Sequence, residues 1–264
     1  MGLPINNNKM LYTLHKLEAL GFLVFIMSTY LILISKFDLY EFTEYLSNLK
    51  IWGLICGYAL LMSLLIDLVR CKWKEFSTQM SIVLHCLAGF LVFFPIMGIN
   101  WISLIAGCVG ALCASIYAFS YYFFEKKGTL GWIFLLIFPL LLGMRLFDFT
   151  IKEGWTDERT ESSYSAEFDL FNGKKEIPLS LKKGDVVTSY ISFNRMNEGA
   201  YGYQVLDNNG NPVGMKELEN KIESYRESDR TIQQFKAETV GKYKLIVTGD
   251  DLKGKIHIMW EIES

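Results

Sequence analysis

The chain has 264 residues, of which 51% are hydrophobic and 20% charged, and its formal net charge is −2. Residues 150–264 carry sixteen Lys and Arg against twenty Asp and Glu, whereas most of the long apolar runs precede residue 150. Such a slightly acidic tail excludes the clustered basic surface that nucleic-acid-binding domains need. The composition therefore predicts a membrane half, 1–149, followed by a water-soluble half.

Five apolar runs are long enough to cross a hydrocarbon core of roughly 30 Å as helices. The first is interpreted as a retained span rather than a signal peptide, because the charged segment that follows it has no small-residue cleavage site. A four-span alternative fuses the third and fourth runs, but Pro95 and Gly98-Ile99-Asn100 at their centre favour a hairpin. The predicted spans are 17–35, 51–69, 80–98, 99–124 and 130–149.

The distribution of basic residues predicts the orientation of these spans. The N-terminus, residues 70–76 and residues 125–128 together contain seven Lys and Arg, against two in the loops on the other side. Short basic loops stay in the cytoplasm, so the N-terminus is predicted to be cytoplasmic. An odd number of spans then places the tail outside the cell membrane. The chain contains no Asn-x-Ser/Thr acceptor, which favours a bacterial source.

The tail is predicted to be a linker, 150–164, followed by a β-sandwich, 165–264, of about seven strands. Apolar residues alternate with polar ones from Ile256 to Ile262, as in a strand with one buried face. All five cysteines precede residue 150, so a hydrophobic core without disulfides must hold this domain together. The polar stretch 216–230 is interpreted as a long loop or surface helix, where binding residues often lie.

The tail also resembles a known family at its turns. The shared positions are Leu181-x-x-Gly184-Asp185, Leu206-Asp207-x-x-Gly210, Phe235-x-Ala237, Gly241-x-Tyr243-x-Leu245 and Gly254 before Trp260. This pattern is similar to the GOLD (emp24-type) β-sandwich domain. The resemblance implies a binding module and brings no catalytic residue with it.

Small residues mark two candidate helix-packing faces. Gly53 and Gly57 stand four apart in the second span, and the fourth span carries overlapping small-xxx-small repeats. In lipid, such faces let helix backbones approach closely. The fourth-span face packs either against another helix of the same chain or against a second copy in a homo-oligomer; its members include Gly107, Gly110, Ala111 and Ala114.

Ionisable residues within the spans are weighed as functional candidates. Arg145 and Asp148 stand three apart near the end of the fifth run, as a candidate charge pair. Asp67 with Arg70 is interpreted in the same way. His85 is interpreted as a packing residue, because no further metal ligands share its local sequence. Residues Asp207 to Asn211 resemble the start of a calcium loop but are interpreted as a turn.

Because the chain contains no recognisable catalytic set, we expect no enzyme, no metal and no cofactor. The leading hypothesis is a multi-pass membrane protein that displays its sandwich outside the cell as a module for sensing, immunity, defence or an accessory role. Its partner would be an unknown protein or small molecule. The alternative is a small transporter or pore subunit that assembles through the small-residue face of the fourth span.

Overall fold

The computed structural model describes residues 7–73, 75–127, 130–218 and 229–264. The chain divides into two compact units, Met1–Asp148 and Phe149–Ser264. The first unit is helical and the second is an antiparallel sheet. The helices are α1 (Asn7–Ile34), α2 (Leu39–Ser47), α3 (Leu49–Lys72), α4 (Thr78–Leu91), α5 (Phe93–Met97), α6 (Trp101–Lys127), α7 (Trp132–Leu135) and α8 (Ile137–Met144).

Four helical segments in the described residues are long and apolar enough to cross a membrane. They are Met10–Ile34, Ile51–Lys72, Thr78–Met97 and Trp101–Lys127. The prediction of five spans is therefore corrected to four. The fifth apolar run folds as the short helices α7 and α8, which extend over Trp132–Met144. Thirteen helical residues reach only about 20 Å, which is less than the thickness of the hydrocarbon core.

Glycines bring α4 and α6 into direct backbone contact. A Cβ placed on Gly89 would lie 2.4 Å from the carbonyl oxygen of Gly110, and one on Gly110 would lie 2.2 Å from the carbonyl oxygen of Gly89. The hairpin between these helices turns at Gly98, whose φ of 74° lies in the left-handed region. The third and fourth spans thus form one tightly packed pair.

The segment α7–α8 packs along α1. The backbone of Phe134 passes so close to Gly21 that a Cβ there would lie 2.5 Å from the Phe134 carbonyl oxygen. The ring of Phe134 meets that of Phe22 edge to face at 4.8 Å. Beyond α8, Asp148 comes near Tyr40 of α2; burial and the carboxylates of Glu44, Asp148 and Asp38 raise the pKa of Tyr40. The segment α7–α8 therefore runs alongside α1, from the first half of α1 to the neighbourhood of α2.

The described residues of the second unit form eight antiparallel strands in one sheet. The strands are β1 (Ile151–Glu153), β2 (Thr156–Arg159), β3 (Ser163–Leu181), β4 (Val186–Arg195), β5 (Ala200–Leu206), β6 (Lys216–Leu218), β7 (Asp229–Lys236) and β8 (Gly241–Glu263). The main path runs β1-β3-β8-β4-β7-β6, with β2 also paired to β3 and β5 also paired to β8. The antiparallel β domain predicted from the alternating pattern is confirmed.

The two longest strands, β3 and β8, each bend near the middle while remaining in one hydrogen-bonded sheet. β3 shifts register between Phe168 and Gly173, and β8 has positive φ at Asp251 and Gly254. A Cβ on Gly249 would lie 2.5 Å from the ring of Phe171, so glycine permits the close approach at this bend. Because both halves of these strands contribute to one core cluster, the sheet folds over a single hydrophobic core. The finer prediction, a β-sandwich, stays a prediction.

Two segments of the tail differ from the sequence interpretation. Residues 150–164, predicted as a linker, contain β1 and β2, which pair with β3 and so belong to the sheet. The ends of the polar stretch 216–230 form β6 and the start of β7. Its central residues, 219–228, lie outside the described part of the chain.

Candidate functional site

The helical unit contains an ion pair between its first two spans. The ammonium nitrogen of Lys16 on α1 lies 2.6 Å from Oδ2 of Asp67 on α3. Lys16 is 3% exposed, and the side chain of Asp67 is 18% exposed. The two residues meet because α1 begins at Asn7, ten residues before the predicted span, so Lys16 is part of the helix.

Polar and aromatic side chains complete the surroundings of this pair. The hydroxyl of Tyr12 donates to Oδ2 of Asp67 at 2.5 Å, and Lys16 donates to the hydroxyl of Ser63. The rings of Tyr12 and Tyr121 lie 4.9 and 4.7 Å from the ammonium nitrogen, within cation–π distance. We call these five residues, Tyr12, Lys16, Ser63, Asp67 and Tyr121, the polar cluster.

A second carboxylate is buried two residues after Lys16 on α1. Glu18 is 1% exposed and its Oε2 lies 2.8 Å from Nδ1 of His15. Gly131 is also close to Glu18, since a Cβ on Gly131 would lie 2.4 Å from the Glu18 carboxyl carbon. The glycine before α7 therefore leaves the space that Glu18 occupies.

The cluster lies near the basic end of the bundle. α3 ends with Arg70 and Lys72, and α6 ends with Lys126 and Lys127. An uncompensated charge at the centre of a membrane helix costs about 2.5–3.5 kcal/mol on insertion scales. The direct pairing of Lys16 with Asp67, together with the two hydroxyls, removes much of that penalty. The arrangement can hold a positive and a negative charge inside the bundle, and it can exchange protons among its hydroxyl, carboxyl and amine groups.

The structure places the predicted small-residue positions in different surroundings. Gly107 and Gly110 of α6 face α4, where a Cβ on Gly107 would lie 2.8 Å from the carbonyl oxygen of Phe90. Ala114 lies next to Gly89, and Ala111 is half-buried. Around Gly53 and Gly57, no atom of the described chain lies within 4 Å of a Cβ placed on either residue, leaving out each residue's neighbours and its own helix backbone.

The two predicted charge pairs differ in outcome. Asp67 pairs with Lys16, whereas the guanidinium of Arg70 lies 5.9 Å from the ring of Tyr122. Arg145 is half-buried at the end of α8, and Asp148 lies near Tyr40. A pair between Arg145 and Asp148 stays a prediction.

The sequence analysis did not predict most of the polar cluster, because it began the first span at Leu17 and so left Tyr12 and Lys16 outside the helix. The spacing of Tyr12 and Lys16, four residues apart, was the available signal that both occupy one helical face. Nothing in the local sequence indicates that Asp67, fifty-one residues later, is the partner of Lys16. That contact depends on how α1 and α3 pack.

The sheet unit carries a smaller charged arrangement at its surface. Lys175 of β3 lies 2.6 Å from Oδ2 of Asp157 on β2, and the buried Tyr164 donates to the same oxygen at 2.9 Å. The hydrogen bond from Lys175, followed by that from Tyr164, holds the pKa of Asp157 below its usual range. Burial and the adjacent carboxylate raise the pKa of Tyr164. These residues tie β2 to β3.

The chain matches no family model and no curated protein. The resemblance of the tail to GOLD domains is therefore not supported beyond the turn residues that suggested it.

Proposed function

We propose that this protein is a multi-pass membrane protein whose helical unit anchors the sheet unit as a binding module for a protein or small molecule. The observation that supports this most directly is that the sheet unit has a complete hydrophobic core of its own. The bundle then supplies attachment to the membrane. Roles in sensing, immunity, defence or as an accessory subunit share this design.

We further propose that the sheet unit lies outside the cell and the N-terminus in the cytoplasm. The basic ends of α3 and α6 favour a cytoplasmic position for that side of the bundle. The segment α7–α8 follows α1 from Gly131, beside Glu18, to Asp148, near Tyr40. Four spans alone would place the N-terminus and the sheet unit on the same side, so the proposed orientation requires the segment from Gly131 to Asp148 to return the chain across the membrane.

Reconstitution of the full chain in liposomes tests the anchor-and-display proposal. We expect no flux of protons, Na⁺, K⁺ or a fluorescent anion above that of empty liposomes. Measured flux that depends on the protein would contradict a purely anchoring bundle.

Transport is the second candidate, and the polar cluster is the observation that favours it. Ionisable residues buried between membrane helices often mark ion or proton pathways. The face around Gly107 and Gly110 is occupied by α4 of the same chain, so oligomers formed through it would require α4 to move. Transport through the cluster predicts proton flux in the same liposomes that is abolished by Asp67→Asn. The anchoring proposal predicts identical, background flux for both proteins.

A further inference from the structure

An apolar groove of about 520 Å³ lies at the surface of the helical unit, between α6 and α7. Its floor is made of packed rings: the ring centre of Phe22 on α1 lies 6.2 Å from that of Phe124 on α6 and 4.8 Å from that of Phe134 on α7. Both helices therefore pack on α1 and leave the groove between them. Its rim consists of exposed side chains, namely Phe119, Phe123, Leu130 and Ile133.

The lining of this groove favours a hydrocarbon occupant. Ser120 supplies the one side chain of the lining that carries a polar group, and its hydroxyl donates to the backbone carbonyl of Ile116 at 2.6 Å. A polar occupant would therefore lose its hydration without gaining a hydrogen-bond donor from the lining. Because the rim residues Phe119 and Leu130 are 63% and 55% exposed, the groove opens onto the apolar surface that meets lipid in a membrane-embedded bundle.

Positive charge lies at the end of the groove where α6 ends. The ammonium nitrogen of Lys127 is 5.5 Å from the centre of the Phe123 ring, which forms part of the rim. Lys126 is exposed and stands three residues after Phe123, so it lies on the same side of α6. Glu125, the acidic residue of this turn, is close to Lys16 and so lies on the side of the polar cluster. The groove therefore begins beside two lysines.

An apolar groove that starts beside two cations is complementary to a lipid with a negative headgroup. Phe119 lies eight residues before Lys127, so the apolar rim extends about 12 Å along α6 from the charged end. A hydrocarbon chain in the groove would bring its headgroup level with the lysines. Basic residues at the ends of membrane helices attract the headgroups of anionic lipids. The charge thus selects among the many lipids whose chains would fit the groove.

We propose that the groove binds one acyl chain of an anionic phospholipid, whose phosphate is held by Lys126 and Lys127. This site goes beyond the proposed display function, because no residue of the sheet unit takes part in it. The proposed orientation places the site in the cytoplasmic leaflet. Binding of the lipid to the solubilised protein does not depend on that orientation, so the two proposals can fail independently.

Photolabelling of the purified full chain in dodecyl maltoside tests the site. The probe is phosphatidylglycerol with a diazirine in one acyl chain, and the competitors are unlabelled phosphatidylglycerol and phosphatidylcholine with identical chains. We expect saturable labelling of peptides that contain residues 119–124 or 130–134. Phosphatidylglycerol should compete at least about fivefold better than phosphatidylcholine, which is the factor that corresponds to one lysine near an anionic headgroup.

Substitutions of exposed lysines identify the source of that preference. Lys126→Gln and Lys127→Gln remove one charge each and should reduce the preference for phosphatidylglycerol, and the double variant should abolish it. Labelling of the same peptides should persist in these variants, because the apolar lining is unchanged. Lys72→Gln is the matched control, since Lys72 is an exposed lysine at the end of α3 outside the groove, and it should keep the full preference. Thermal melting of each variant verifies that it is folded.

Three results would overturn the proposal. Equal competition by the two phospholipids in the unaltered protein would show that the lysines do not select the headgroup. Competition by glycerol 1-phosphate at the same concentration would show that the lysines bind the anion without any chain in the groove. Labelling that does not saturate, or that spreads over all lipid-facing helices, would show that the groove selects no ligand.

Discussion

The carboxylate of Asp67 on α3 lies 2.6 Å from the ammonium group of Lys16 on α1. This contact connects two of the four candidate spans at the basic end of the bundle, and it fixes the depth of one helix against the other. Tyr12 and Ser63 add hydrogen bonds to the same two groups. The pair thus stabilises a specific helix register at a place where simple apolar packing would permit sliding.

Replacing one member of this pair should destabilise the protein more than replacing both members. Lys16→Met or Asp67→Leu alone should lower the free energy of unfolding by about 3–5 kcal/mol, because each leaves a buried charge without a partner. The double variant should be more stable than either single one. Unfolding of the detergent-solubilised protein, followed by circular dichroism, measures all four members of the cycle.

Lys126→Met provides the control, since Lys126 is an exposed lysine at the end of α6. It should change the free energy of unfolding by less than about 0.5 kcal/mol. Additive effects of the two single variants would contradict a direct interaction between Lys16 and Asp67.

Local patterns in the sequence predicted the type of each unit but not its long-range contacts. Apolar length identified the four spans, and alternation from Ile256 to Trp260 identified a strand whose apolar residues are buried. The fifth apolar run had the required composition, yet its helix is interrupted between α7 and α8. The pairing of Lys16 with Asp67 and the bend of β3 at Phe171 depend on tertiary packing, which no local pattern contains.

The close contact between α4 and α6 should depend on the absence of a side chain at Gly89. Gly89→Leu should lower the melting temperature strongly, because even a Cβ would meet the Gly110 backbone and no solvent-driven force compensates for lost packing in lipid. Gly57→Leu is the matched control, since it adds the same side chain to a position with no neighbouring atom within 4 Å.

Differential scanning fluorimetry together with crosslinking separates stability from assembly in these variants. Equal melting temperatures for Gly89→Leu and Gly57→Leu would contradict the intrachain contact. A crosslinked dimer lost only in Gly57→Leu would show that the open glycine face of α3 meets a second copy.

The proposed orientation can be measured with single cysteines in a chain whose five native cysteines are replaced. Glu261→Cys places a thiol at an exposed position of β8, and Lys126→Cys places one at the basic end of α6. In intact cells a membrane-impermeant maleimide should label only the former, and permeabilisation should expose the latter. The reverse pattern, or labelling of neither position before permeabilisation, would contradict an external sheet unit. Labelling of both would contradict a cytoplasmic position for the basic end of α6.

The last prediction concerns the acid stability of the sheet unit. Hydrogen bonds from Lys175 and Tyr164 keep the pKa of Asp157 below the value of about 3.9 for an unperturbed aspartate. The contribution of Asp157 to stability is therefore fully present above the unfolded-state pKa and is lost as pH falls through the lower folded-state pKa. Because the side chains of both partners are about a third exposed, the interaction should be worth no more than about 1 kcal/mol.

Asp157→Asn in the segment 149–264 removes the titrating group while preserving much of its shape. At pH 7 the variant should unfold at lower urea concentration than the original segment. The difference should shrink as pH is lowered below about 4, where the carboxylate becomes protonated first in the unfolded state and then, at lower pH, in the folded state. Glu261→Gln, at an exposed position of β8, should show almost no such pH-dependent difference. Urea unfolding at a series of pH values measures both variants. A stability gap for Asp157→Asn that stays constant from pH 7 to pH 2 would show that the loss comes from packing, and the proposed link between β2 and β3 through Lys175 would be wrong.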